Sequence, residues 1–389
     1  MRIGVLTSHP IQYQVPLFRE LAARCDLSVY FAYQQTAKGQ AVAGYEVEFE
    51  WDIDLFSGYS SQFLKNCARH ADVFHFNGCD TPGVAEIVRN GHFDLFIVTG
   101  WYLKSYWQAV RACRRYRVPV VVRGDSQLGT ERSLLKRTVK AVAYPCLLRQ
   151  FDGFLYVGRR NFEYLLHYGT KSEQCFFSPH FIDTDRFRRQ SVLTSETRLA
   201  VRQSCRVMPN EIMILSVGRL VDFKQPFDLL AAGKIMRESG IPVHVVYVGS
   251  GPLRDALQQQ GIKLGVPCTL AGFKNQTELP ALYACADVFA LPSSSETWGM
   301  VVNEAMACST PAVVSDAAGC APDMIVQGET GAVFPVGNAG QLAASLVEVS
   351  QWKKTGRCHQ ALQDKCRAYS VQRAADGVMA LARYFYKGI

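Results

Sequence analysis

Residues 290–304 read Ala290-Leu291-Pro292-Ser293-Ser294-Ser295-Glu296-Thr297-Trp298-Gly299-Met300-Val301-Val302-Asn303-Glu304, and the change of period along this stretch decides the fold. The run 287–291 ends at Pro292 and predicts a buried strand. Three serines, Glu296, Thr297 and Trp298 then make a polar turn. Gly299 opens a helix, because Met300, Val301, Ala305 and Met306 recur at helical spacing. The N–H groups of a helix start carry partial positive charge and suit an anion such as phosphate. Glu296 stands just before the helix and Glu304 about one turn inside it. Two carboxylates are thus placed to accept hydrogen bonds from hydroxyls beside that anion. For these residues alone, an ordinary strand-to-helix turn with solvated glutamates fits equally well.

The same alternation extends in both directions. After residue 210 the buried runs are 212–217, 243–248, 268–271, 287–291 and 312–314, with helices starting near Pro226, Pro252, Thr277 and Gly299. The first half predicts strands at 3–7, 27–33, 93–99, 118–122 and 154–157, and helices at 17–23, 105–116 and 161–168. Short strands alternating with helices argue an α/β chain with parallel sheets covered on both faces. Ligands in such sheets bind beyond the carboxyl ends of the strands, so the loops 8–13, 99–103 and 123–126 should border one cleft. The stretch 186–207 is polar and aperiodic and reads as a connection. A helical tail from 370 is expected to return and pack on the first domain. The expectation is two Rossmann-like domains, 1–190 and 200–369, facing each other across a cleft.

The 389 residues suit two domains, and 48% hydrophobic with 20% charged content is that of a globular protein. The first apolar run is too short for a secretory leader, and none approaches the roughly 18 residues of a membrane span. Thirteen cysteines without a C-x-x-C pair read as reduced thiols, with no disulfide frame and no zinc site. A cytoplasmic chain is expected. The formal charge of +8 is uneven: residues 104–160 hold 13 Lys or Arg against three acids. No nucleic-acid motif accompanies that charge, so nucleic acid is not an expected partner. An anionic membrane surface is, with 132–149 as the docking stretch on the inner face.

Three further motifs carry chemistry. Ser216-Val217-Gly218-Arg219-Leu220-Val221-Asp222-Phe223-Lys224 ends a strand, and Arg219 and Lys224 would offer two cations to a diphosphate without metal. Val248-Gly249-Ser250-Gly251-Pro252 lacks the third glycine of a dinucleotide fingerprint and instead suits close approach of a ligand to backbone. Asp183-Thr184-Asp185 has the D-x-D form of a metal site on a sugar diphosphate, but it sits at the end of the first domain before a basic stretch. No metal and no cofactor are expected.

With these residues in hand, the second half resembles the retaining GT-B glycosyltransferases of family 4. Glu296 and Glu304 form an E-x₇-E motif, and Val217-Gly218-Arg219-Leu220 with Lys224 matches the G-R-L…K element. Gly249-Ser250-Gly251-Pro252, Ala271-Gly272-Phe273, Pro292-Ser293 and Gly328-Glu329-Thr330-Gly331 follow in the family's order. The resemblance is strong over about 210–340 and weaker before it, where Ser178 to Phe187 is similar to the segment closing the first domain.

The resemblance implies transfer of a sugar from a nucleotide-diphosphate donor, UDP- or GDP-linked, to a glycan, lipid-linked or small-molecule acceptor, with retention. Arg219 and Lys224 would hold the diphosphate together with Gly218, Thr297, Gly299 and the N–H groups of Met300 and Val301. Glu296 would contact the transferred sugar and Glu304 the ribose. Gly249, Gly251, Phe273 and Lys274 would border the base. The first domain departs from the pattern: Asp125 stands where many members carry a catalytic-site His, and His180 where Asn is usual. Asp125 and His9 are the remaining candidates for acid–base work, and Gln12, Trp101, Tyr102 and Arg123 for the acceptor. Two other readings share the architecture. One is a nucleotide-sugar 2-epimerase; the other is an inactive glycan- or nucleotide-binding protein.

Overall fold

All strand pairs among the described residues are parallel, and the strands fall into two sheets. The computed structural model describes residues 1–36, 47–129 and 134–386. The first sheet contains β1 (Arg2–Thr7), β2 (Asp26–Phe31), β3 (Ser60–Phe63), β4 (Leu95–Val98), β5 (Val120–Gly124), β6 (Gly153–Tyr156) and β7 (Cys175–Phe177), in the order β3-β2-β1-β4-β5-β6-β7. The second contains β8 (Ile212–Val217), β9 (Val243–Val248), β10 (Cys268–Leu270), β11 (Val288–Leu291), β12 (Ala312–Ser315) and β13 (Gly331–Phe334), in the order β10-β9-β8-β11-β12-β13. Among the described residues helices join successive strands, β2 to β3 excepted. All residues of β4, β9, β11 and β12 are buried, as covering both sheet faces requires.

The chain groups into two units. Met1–Gln35, Asp54–His180 and Ser370–Ile389 form the first, and Thr36–Ile53 with Phe181–Tyr369 the second. Inclusion of Thr36–Ile53 in the second unit has no counterpart in the sequence reading. In the first, the helix Val371–Tyr386 packs on the helix Val15–Ala22 and on β7. Arg24 pairs with Asp376 at 2.7 Å, and Ser178 Oγ donates to the Ala374 carbonyl at 3.0 Å.

The polar stretch 186–207 is not a bare connection. It holds the helices Thr184–Gln190 and Ser195–Ser204, each with a side-chain cap. Asp183 accepts from the Arg186 N–H at 3.0 Å and Thr194 from the Thr197 N–H at 3.1 Å. Asp183 of the D-x-D is therefore a helix cap, while Asp185 lies beside Arg188 at 3.9 Å. No residue of the second helix is fully buried, so it shows no apolar period. Strand β3 escaped notice for a related reason: all four of its residues are exposed at the sheet edge.

Among the described residues no helix is long and apolar enough to cross a membrane. Part of the basic stretch, 130–133, lies outside them. The helix Leu134–Leu148 that follows exposes Val139 and Val142, by 58% and 73%.

Gly377, inside the last helix, lies so close to β7 that a Cβ would sit 1.9 Å from the Phe177 carbonyl oxygen. Gly→Ala within a helix normally stabilises by up to about 1 kcal/mol. Here the clash reverses the sign, and Gly377→Ala is expected to destabilise the first unit by about 1–3 kcal/mol in denaturant unfolding.

Candidate functional site

Each sheet has one place where the strand order reverses, at β1 between β2 and β4 and at β8 between β9 and β11. Loops leaving the carboxyl ends diverge there and open a crevice. The expected donor residues lie on the loops after β8 to β11, and the expected acceptor residues on loops of the first sheet. Each set is described within its own unit.

In the second unit the loops are bonded into a stack. The Gly218 N–H donates to Val248 O at 2.9 Å, Leu220 N–H to Ser250 O at 2.8 Å, and Gly249 N–H to Gly272 O at 2.8 Å. A Cβ on Gly249 would lie 2.0 Å from Gly218 O, and one on Gly251 2.4 Å from Leu220 O. Both glycines have positive φ, 132° and 154°. They are thus required by backbone meeting backbone, whereas the sequence reading reserved the space for a ligand.

Lys224 and Glu296 meet across this switch point as an ion pair between Nζ and Oε2, with only 20% and 16% of the side chains exposed. The two expected cations differ in state: Lys224 is held by the carboxylate, while Arg219 is exposed with its guanidinium 5.7 Å from the Phe223 ring centre. Glu296 is fixed in turn, since its carbonyl accepts from the Gly319 N–H at 2.9 Å. The helix Met300–Ala307 begins beside it. Gly299 caps that helix at φ 101°, and a Cβ there would meet Leu291 Cδ2 at 2.7 Å. Thr297 is exposed and Met300 and Val301 are half-buried.

Glu304 is fully buried, and the Tyr283 hydroxyl donates to its Oε2 at 2.7 Å. A carboxylate so placed is ordered by the protein interior and is not presented to solvent. The sequence reading missed Tyr283, which looks like any core tyrosine of its helix. Phe273 stacks on Phe49, ring centres 4.2 Å apart, and Lys274 pairs with Glu278 at 2.9 Å. Among the described residues no three His, Cys, Asp or Glu side chains are arranged to hold a metal.

In the first unit, a hydroxyl network lies at the ends of β1 and β4. Thr99 Oγ1 is 3.0 Å from Thr7 Oγ1 and 3.1 Å from Tyr106 Oη, and His9 Nδ1 is 3.0 Å from Ser8 Oγ. Burial lowers the His9 pKa from 6.5 to about 4, so its imidazole is neutral near pH 7. Gln12 is buried. Tyr102 is 48% exposed and offers a phenol at the surface of this network.

Arg123 is held by the backbone of the segment 178–179. Its Nη2 donates to the carbonyls of Ser178 at 3.3 Å and Pro179 at 3.0 Å, and burial lowers its pKa to about 10. Trp101 is likewise part of the packing: its ring stacks on Tyr164, and its carbonyl accepts from Trp107 Nε1 at 2.8 Å. Asp125, with a half-exposed side chain, lies 3.9 Å from His180 Nε2. Burial, with the charge of Arg123 adding, pushes the His180 imidazole well below its ordinary value.

Comparison with known proteins bears on this geometry. Residues 199–361 match the family model described as glycosyl transferases group 1. That match lies within the second unit. An uncharacterized glycosyltransferase of Methanocaldococcus jannaschii is 39% identical over 131 residues, 33% of each chain. A D-inositol 3-phosphate glycosyltransferase of Mycobacterium sp. (strain KMS) is 28% identical over 291 residues, 72% of this chain and 62% of that one. The chain thus spans about a third and under two thirds of the lengths of these relatives. Over essentially its whole length it superposes on Anabaena HepE. The TM-score is 0.73 for the complex with UDP and 0.69 for that with UDP-glucose, at 19% identity, covering 98–100% of this chain and 99–100% of that one. Sucrose-phosphate synthase of Thermosynechococcus elongatus gives 0.72 at 18% identity, covering both chains fully. These are GT-B structures, and GT-B is the fold of this chain.

The half-buried neutral His9 supplies a test of the first unit of this GT-B chain. Because its folded pKa lies below the unfolded 6.5, the unfolded chain takes up the proton first as pH falls. The stability is complete above about pH 6.5 and is lost towards pH 4. His9→Gln should lose less stability than wild type across that window, measured by thermal unfolding as a function of pH. Parallel curves for the two proteins would show that His9 titrates normally.

Proposed function

We propose that the protein is a glycosyltransferase that moves a sugar from a nucleotide-diphosphate donor, UDP- or GDP-linked, to a hydroxyl acceptor with retention, in the manner of family 4. The observation that carries this reading is the Lys224–Glu296 pair at the β8/β11 switch point, beside the start of the Met300–Ala307 helix. UDP-glucose bound in a structure sharing this fold over its full length supports the choice of donor class.

In this reading Arg219, Lys224 and the helix start receive the diphosphate and stabilise the charge that grows on it as the glycosidic bond to the leaving group breaks. Glu296 performs two tasks: it positions the Lys224 ammonium in advance, and it faces the hydroxyls of the transferred sugar. Glu304 acts at one remove, as a buried carboxylate positioned by Tyr283, and its contact with ribose needs the pocket wall to open. Acceptor recognition falls to His9, Tyr102 and Asp125 of the first unit. A neutral His9 accepts a hydrogen bond without adding charge, and Asp125 is the exposed carboxylate of the set. Glycans and lipid-linked sugars are the acceptor classes that such hydroxyl-rich surroundings suit.

The exposed Val139 and Val142, on a helix within the basic stretch, support peripheral docking on an anionic membrane. The proposed setting is the cytoplasmic face, where polysaccharide or glycoconjugate precursors are built.

Incubation with a panel of nucleotide-sugars and candidate acceptors tests the reaction: transferred sugar supports it, whereas an epimerised donor or binding without turnover would replace it. Lys224→Ala should lower kcat/KM at least about tenfold, since about 1.4 kcal/mol is modest for a charged contact. Transfer should be unchanged by EDTA, because cations and a helix start take the place of a metal; a rate restored by added Mg²⁺ would count against this. Flotation with phosphatidylserine vesicles should show binding at low salt that weakens as salt rises, and Val142→Glu should reduce it severalfold.

A further inference from the structure

The family-matched region 199–361 does not account for every ring beside the proposed donor site. The segment 47–53 leaves the first unit between β2 and β3 and belongs to the second. It is fastened to the loop after β10. Asn275 Nδ2 donates to the Glu50 carbonyl at 2.7 Å, and the Asp52 carboxylate accepts from the Thr277 N–H at 3.0 Å and from its hydroxyl. That loop is itself rigid, because Arg186 holds the buried Gln276 through its carbonyl and its side-chain oxygen, both at 2.8 Å. Between these fastenings Phe49 lies on Phe273 at 4.2 Å with 35° between the planes, and Trp51 meets Phe49 edge-on at 4.8 Å.

We propose that Phe49 and Phe273 together form the aromatic wall against which the base of the donor nucleotide packs, so that base preference depends on a segment outside the family-matched region. The inference rests on the donor-site reading given above. Three observations converge on it. Phe273 follows Gly272, whose carbonyl accepts from Gly249, and Gly249 in turn packs on Gly218 of the loop that carries Arg219 and Lys224. The wall is therefore two loops away from the diphosphate cations. The rings of Phe49, Trp51 and Phe273 are only half-buried, and a flat base covers such aromatic surface by stacking. Finally, Glu48, Glu50 and Asp52 alternate along the segment. Those charges oppose a diphosphate and leave the uncharged base as the part of the ligand the segment can face.

Calorimetric Kd values for UDP, GDP and ADP, measured on the full chain, test the assignment. Phe49→Ala is expected to weaken the best of the three about tenfold and to narrow the spread among them, as loss of one stacking ring should. Phe49→Tyr, which keeps the ring, should stay within about threefold of wild type. Asp52→Ala, which unfastens the segment without touching a ring, should shift the three constants in the same direction as Phe49→Ala. Lys224→Ala, acting on the diphosphate, should weaken all three by a common factor. Unchanged constants in Phe49→Ala, or a uniform loss across the bases, would overturn the proposal and leave the rings as a clasp. If Lys224→Ala changed none of the three, the donor site itself would be misassigned.

Discussion

A parallel sheet covered on both faces uses its backbone hydrogen bonds for the ladder and its side chains for the core, which confines chemistry to the strand ends. In the second unit that constraint is sharpest at β8, where β9 and β11 lie on opposite sides and the loops part. Lys224 follows β8 and Glu296 follows β11, 72 residues apart in sequence, and they close the gap with a largely buried ion pair. Such a pair contributes little net stability when intact and costs about 3–5 kcal/mol when a fully buried partner is removed, less for the partial exposure here. Its main effect is placement: an ammonium is fixed beside a helix start before any anion arrives.

The glycines around the pair follow from the same packing. Gly249 and Gly251 allow the β9 loop to lie directly on the β8 loop, and Gly299 lets the chain turn into the helix against Leu291. Each interloop bond removes freedom from a loop that would otherwise have to be ordered by its ligand. The result is a set of N–H donors and one ion pair ordered by the protein, which is what the proposed stabilisation of a departing diphosphate needs.

Legibility in the sequence tracked burial. The continuous apolar runs of β4, β9 and β11 are plain because both faces are covered, and the loops after β8 and β11 carry the Arg219, Lys224 and Glu296 spacing. The Ser195–Ser204 helix was not legible, because it buries no residue fully and so has no apolar stripe. Nor was β3, which is exposed throughout. The state of each site residue was harder to see than its place. Glu304 is set apart from a solvated glutamate by its burial and by Tyr283, and Arg123 is held by the carbonyls at 178 and 179. Those partners come from packing in three dimensions, which residue spacing does not encode.

Tyr283 also links the site to an outer layer of basic residues. It belongs to the helix Leu279–Cys285, whose last carbonyls need donors. Lys353 Nζ supplies them, donating to Ala284 O at 2.8 Å and Ala286 O at 2.9 Å, with burial lowering its pKa to about 8. Arg198 donates to Ala284 O as well, and Arg202 to Cys285 O at 3.1 Å while pairing with Asp287. Three cations thus gather at one helix C-terminus, where the helix dipole favours them. Arg198 and Arg202 come from the polar stretch that reads in sequence as a connection. Their charge is committed to the helix that positions Tyr283, and Tyr283 in turn holds Glu304. Basic residues of this unit therefore serve internal capping as well as any attraction for an anionic ligand, and the two are separated only by asking which carbonyl each cation meets.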